Sequence, residues 1–375
     1  MSQVSVSIEQ RMVAVFGRSS GFDYMRLVLA TAVVALHSVI ICYGQAVDIA
    51  FWTSEARPLF RLVLPMFFAL SGFLVAGSLV RSRTLGMFLG LRAIRIFPAL
   101  SVEVLLSALV LGALVTTLPS GLYFTHPEFL SYFWNLVGHV HFRLPGVFEE
   151  NPHPLVVNGQ LWTVPYELYC YIALALFVLI GAQKHRIILP IGSVAVLAAY
   201  ALFKFARDGG LPAETTGPVP GALLVVAFLA GVSIHAYRAE LAFSTPIAFA
   251  SAVLAVCLLW FVPYGEYVAM WPVTYMTVYL GLLDPPRLWF VRDSDYSYGL
   301  FLYSYPIQQT IASAGPVFQD WQTNFLLSMV LGLMFAALSW HVVEKPALGL
   351  KRPMRSLEDR WLARQLRSGS VSLAE

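Results

Sequence analysis

Charge is scarce in this chain. Only 12% of its 375 residues are Asp, Glu, Lys or Arg, against about 25% in an ordinary soluble domain. So few charges cannot solvate the surface of a globule this size, which excludes a water-soluble protein. Cysteine is scarcer still. Cys42, Cys170 and Cys257 lie in or beside apolar runs with no CxxC spacing, which excludes a disulfide framework and a cysteine-based metal centre. A cleavable signal pattern is also missing: Arg11 and Arg18 precede a full-length apolar run with no small-residue cleavage site. No internal repeat and no appended soluble domain are expected from the sequence. The net charge of +3 says little about partners.

What the chain has is apolar length. Hydrophobic residues make up 58% and the mean hydropathy is +0.71. Apolar runs of about 17–22 residues are long enough to cross a hydrocarbon core of about 30 Å as helices. The sequence predicts an all-α polytopic membrane protein with about ten spans. They lie near 24–43, 59–80, 96–117, 160–182, 187–205, 219–237, 246–262, 267–283, 297–314 and 323–343. With both termini on the cytoplasmic face, 19 of the 24 Lys and Arg residues fall inside; Arg57, Arg61, Arg143, Lys204 and Arg207 remain outside. Such an excess is what the positive-inside rule requires. The chain divides into a cytoplasmic segment 1–20, a membrane domain 21–350 and a cytoplasmic tail 351–375. The tail reads as a weakly amphipathic surface helix with a frayed end. The long outer stretch 118–159 is rich in aromatics and histidine, and its 129–142 part reads as a short interfacial helix. His139 and His141 lack a suitably spaced third ligand, so no metal is expected.

Arg26 and His37 stand eleven residues apart in the first run. That spacing makes about three helical turns and roughly 16.5 Å of rise, so the two side chains share a face. Ionisable groups in a membrane span are costly and are usually kept for function. The pattern suggests a charged head group held at the surface by Arg26, with chemistry at His37 inside the bilayer. Glu167 in LWTVPYELYCYI enters from the outer side and reaches a depth matching that of His37. The carboxylate could orient the imidazole as in hydrolytic triads; a structural clamp between helices is the plainer alternative. Arg92 and Arg95 share a face at the inner lip of the third span and, with Arg26, suit phosphate oxygens. Ordinary anchoring is their alternative. Glu103 could neutralise one of these arginines. Ser71 beside Gly72 in LPMFFALSGFLV reads first as close helix packing. Ser71, Trp162 and Tyr303 are candidate substrate contacts.

Six segments, in order, resemble the acyltransferase 3 family of integral membrane O-acyltransferases: GFDYMRLVLATAVVALHS, FFALSGF, RAIRIFPAL, LWTVPYELYCYI, SYGLFLYSYPI and SWHVVEKPAL. The resemblance covers roughly residues 21–350. It implies a ten-helix core in a bacterial inner membrane. It also implies transfer of an acyl group, usually acetyl, from cytoplasmic acyl-CoA to a hydroxyl of an extracytoplasmic polysaccharide or glycolipid. It assigns Arg26 and His37 to catalysis, and Arg92 and Arg95 to donor handling or an essential structural role. Two positions depart from the family pattern: Ser304 replaces a common histidine, and Pro65 an acidic residue. His37 is expected as general base, by direct transfer or through an acyl-histidine. The alternative is a transporter or flippase. That reading requires inverted repeats, and Pro165 and Pro272 do not occupy equivalent places in two halves.

Overall fold

The computed structural model describes residues 6–17, 19–215, 217–289 and 294–367. Arg18 and Arg292, counted above among the inner cations, lie outside the described residues, as does the end of the tail. Among the described residues the fold is helical, with no strand and one isolated bridge between Ser7 and Ala242. Six helical rods are long and apolar enough to cross a membrane by length and composition: Ser20–Trp52, Arg57–Val80, Leu85–Val115, Gly159–Leu179, Ile188–Asp208 and Trp321–Gln365. The chain is an all-α membrane protein. The other apolar segments expected as spans form shorter helices. They are Gly221–Ala236, Thr245–Phe261, Met270–Gly281 and Ser297–Ser313, of 16, 17, 12 and 17 residues.

The main helices are labelled α1 (Ile8–Ala14), α2 (Ser20–Trp52), α3 (Arg57–Val80), α4 (Leu85–Leu106), α5 (Val164–Leu179), α6 (Ile188–Asp208), α7 (Gly221–Ala236), α8 (Thr245–Phe261), α9 (Met270–Gly281), α10 (Ser297–Ser313), α11 (Trp321–Ser339) and α12 (Lys351–Arg367). Helix α3 is central and packs closely along α7. A methyl group at Gly72 would strike the backbone carbonyl of Phe228, and one at Gly231 the carbonyl of Ala69. Small residues let the two backbones meet, which is the packing expected at Gly72.

Three local departures shape the functional region. Helix α2 kinks at Gly44, which has φ +78°, a conformation that glycine adopts without cost. The helix therefore runs nine residues beyond the predicted end of the first span. Helix α4 continues through a π-turn at Ser107–Leu111, and α11 through another at Trp340–Glu344; such turns re-aim side chains and often mark functional regions. In the stretch 118–159, expected on the outer face, the interfacial helix is Pro127–Tyr132 followed by a turn to Val137. It stops at Gly138 (φ +80°) instead of continuing to 142.

Arg57 and Arg61 of α3 enclose a buried Glu266 at 3.4 and 3.0 Å. Arg61 also donates to the carbonyls of Thr215 and Gly217. This holds the α6–α7 connection onto α3, and removing one partner of such a buried pair costs about 3–5 kcal/mol.

Candidate active site

Helix α2 supplies the first two groups. Ser19 caps it by accepting from the Gly21 amide at 3.2 Å. Arg26 emerges two turns in, 3.1 Å from Asp295 and 3.8 Å from Asp23. Asp295, in the segment before α10, also binds Arg95, whose other nitrogen lies 3.2 Å from Glu344. Burial would raise the Asp295 pKa, but the guanidiniums of Arg95 and Arg26 outweigh it and hold the carboxyl at about 2. Arg92 is differently placed. It donates to Ser78 Oγ at 3.1 Å, and its buried Nε has no partner.

These three arginines line a cavity of about 890 Å³. Arg81, Arg83, Arg287, Lys351 and Arg355 add further positive charge, with Asp23, Asp295, Glu358 and Asp359 as the acidic residues. Helix α12 is one wall of it, held by Arg83 to Asp359 and by Thr84 to Glu358, each at 2.7 Å. The tail, expected as a plain surface helix, thus takes part in the site.

A second cavity, about 170 Å³, lies deeper along the same path. It shares Arg26, Leu74, Arg92 and Arg95 with the first and adds Ser71, Thr163, Glu167, Tyr171 and Tyr298. A third, about 240 Å³, shares Leu64, Thr163 and Phe301 with the second. It holds His37, Trp162, His153, Gln160 and Tyr305. The three cavities form a chain from the arginines to His37, with α2 contributing residues to each.

The structure separates two residues expected to pair. Glu167 accepts a hydrogen bond from Tyr171 and lines the middle cavity with the arginines. His37 lines the next cavity, packs edge-on against Tyr305 at 5.0 Å between ring centres, and leaves Nδ1 without a partner. No hydrogen bond joins Glu167 to His37. The reason is local geometry. The chain enters α5 through a 3₁₀ turn at Gly159–Thr163, whose rise of about 2.0 Å per residue carries Glu167 further toward the arginines than an α-helix would.

Glu103 also departs from expectation. It accepts from Ser107 at 2.6 Å and from Asn158, away from any arginine. Tyr303 is buried, with its hydroxyl 3.3 Å from Ser339 Oγ, and lines none of the three cavities. Ser71 and Trp162 do face cavities. His139 and His141 meet ring to ring at 3.1 Å, and among the described residues no group of three or more potential ligands gathers around a metal position. Sequence reasoning missed Asp295, Glu344, Tyr171, His153 and Gln160 as members of these clusters. Asp295 lies two residues before the motif SYGLFLYSYPI and Glu344 lies inside SWHVVEKPAL, and a carboxylate in or beside these motifs was the available signal.

The family model for an acyltransferase domain, acyltransferase 3, matches residues 19–343. The chain belongs to that family. A protein of Shigella phage Sf6 named "O-acetyl transferase" is 26% identical, over 91% of this chain and 99% of its own length. "Nodulation protein 10" of Rhizobium leguminosarum bv. viciae is 27% identical, over 76% of this chain and 82% of its own. No solved structure matches. Family membership makes this membrane protein an acyltransferase, and the phage relative supports transfer to oxygen. The matched segment begins at Ser19, the cap of α2, and ends one residue before Glu344, so all but the α12 wall of the arginine cavity falls within or beside it.

Proposed function

We propose that this acyltransferase moves an acyl group, acetyl in the first instance, from cytoplasmic acyl-CoA to a hydroxyl of an extracytoplasmic polysaccharide or glycolipid. In this reading ten helices cross a bacterial inner membrane and both termini lie in the cytoplasm. The observation that carries it is the run of three cavities sharing residues from a basic chamber to a buried imidazole.

CoA carries its phosphates at one end and its thioester at the end of a long flexible arm. The basic chamber suits the phosphates, since guanidinium forks match their oxygens. The arm runs along α2 through the middle cavity, and the thioester reaches His37. There the imidazole takes the proton of the acceptor hydroxyl as the oxygen attacks the thioester carbonyl. The new C–O bond forms, the C–S bond breaks, and the CoA thiolate leaves with the proton that His37 returns. Glu167, beside Tyr171, sits along the path of the arm and does not orient the base. Direct transfer needs only one imidazole at that point, and His37 is the one present on α2.

The reading predicts that surface glycans lose one class of O-acyl ester when the gene is deleted and regain it on complementation. Mass spectrometry of the glycans before and after mild alkali measures this. Unchanged esterification in the deletion strain overturns the acceptor assignment.

A further inference from the structure

One feature of the His37 cavity is left unused by this mechanism. Three buried polar atoms there lack partners: His37 Nδ1, His153 Nδ1 and Gln160 Oε1. Buried polar atoms are nearly always paired, so three orphans carried by residues of one cavity wall point to a polyhydroxylated occupant.

Each of the two additional groups is held in place from outside the cavity. Gln160 Nε2 donates to the Leu302 carbonyl at 2.7 Å and to Asn158 Oδ1 at 3.3 Å. Both partners accept only, and Asn158 is itself oriented by donating to Tyr132 at 2.7 Å. The Gln160 amide cannot flip without setting oxygen against oxygen. Its Oε1 is therefore a fixed acceptor. His153 sits on a segment clamped from α10: Gln309 Nε2 donates to the carbonyls of His153 and Val156 at 2.8 and 2.7 Å, and Asn151 donates to the Gln309 side chain at 2.7 Å. The backbone of the same segment rests on the kink of α2, where a methyl group at Gly44 would come 2.5 Å from the Pro152 carbonyl oxygen. This holds His153 in the cavity wall while its ring makes no hydrogen bond of its own.

The rest of the wall is aliphatic and aromatic, with Trp52, Trp162 and Tyr305 among its rings, and Asp48 and Thr163 are its further polar residues. A volume of 240 Å³ is about eight times the share of one liquid water, enough for one sugar ring. Apolar walls with a few fixed polar groups are how small-molecule sites obtain orientation and specificity.

We propose that this cavity seats a single saccharide ring of the acceptor. Gln160 Oε1 and His153 Nδ1 hold the hydroxyl beside the one that reacts at His37. The proposal rests on the O-acyltransferase reading for its acceptor, and it makes His153 and Gln160 specificity-determining residues that choose which hydroxyl meets the base.

The test is saturation-transfer NMR on the detergent-solubilised full chain. The probes are the methyl glycosides of glucose, galactose, mannose, rhamnose and N-acetylglucosamine, with cyclohexanol as an apolar ring of similar size. At least one glycoside binds the wild type. His153→Phe keeps the ring volume and removes both nitrogens, so it weakens that glycoside about tenfold, the loss expected for one hydrogen bond. His153→Asn restores part of the affinity. Cyclohexanol binding is unchanged in both variants, and acetyl-CoA binding, measured on the same samples, reports an intact fold. The proposal is overturned if no glycoside binds the wild type, if His153→Phe binds glycosides as well as wild type, or if cyclohexanol weakens in parallel. Loss of acetyl-CoA binding in the wild type would instead strike the O-acyltransferase reading and leave the glycoside result standing.

Discussion

His37→Ala is expected to lower acyl transfer by about 10²- to 10⁴-fold, the range for a positioned general base, while the protein still inserts and folds. The structure explains why the two effects separate. The imidazole packs edge-on against Tyr305 and its Nδ1 binds nothing. Removing the ring leaves no buried partner stranded; the cost to the fold is the lost packing alone. His37→Phe restores the ring volume and therefore the packing, but not the proton acceptor. A packing role predicts that phenylalanine rescues activity, whereas a base predicts that alanine and phenylalanine are equally inactive. Acetyl-CoA-dependent esterification, read beside thermal unfolding of the purified variants, decides between them.

Arg92→Lys is expected to weaken donor binding by about tenfold and Arg92→Ala by about a hundredfold, with acceptor binding little changed. Charge-assisted forks to phosphate are worth roughly twice a neutral hydrogen bond, and lysine keeps the charge without the planar pair of donors. Arg92 is the informative position because of what holds its neighbours. Arg26 and Arg95 already share Asp295, and Arg95 also reaches Glu344. Replacing Arg95 leaves the buried Glu344 without its cation and Asp295 with Arg26 alone, so Arg95→Ala is expected to cost stability as well as any ligand affinity. Arg92 is held by the Ser78 hydroxyl, lies beside Tyr171 and Glu167, and has an unpartnered Nε. Its substitution reads donor binding with little structural confusion. Titration of acetyl-CoA into the solubilised variants is the measurement. Unchanged affinity in both would leave Arg92 as a membrane-side anchor.

Much of this was readable from residue order. The stripe joining Arg26 to His37 on one helix face is a matter of helical periodicity, and α2 carries both onto one path. The close approach at Gly72 follows from residue size. What periodicity cannot supply is the contact across the chain. Asp295 lies 269 residues from Arg26, and Glu344 lies 249 from Arg95. No local pattern announces those pairs. The Glu167 placement failed for a different reason: depth was counted as if both helices began at a flat surface. In fact α2 runs on past its kink to Trp52 and α5 is entered through a tighter turn. The tail was read as a solvated helix because its polar face is real. That face is turned toward Arg83 and Thr84 and walls the basic chamber. The four shorter apolar helices show why span counts from hydropathy and rod lengths in a fold differ. α10 runs unbroken through Pro306, whereas the separate helical turn at Gly265–Val268 shortens α9.

The central claim is that donor and acceptor enter from opposite ends of one passage. Sealed proteoliposomes test it most directly, with the protein in one orientation, acetyl-labelled acetyl-CoA on the side of the arginine chamber and a glycan acceptor only on the other. The account predicts label on the acceptor inside intact vesicles, lost in His37→Ala. Label that appears only when donor and acceptor share a compartment would contradict it.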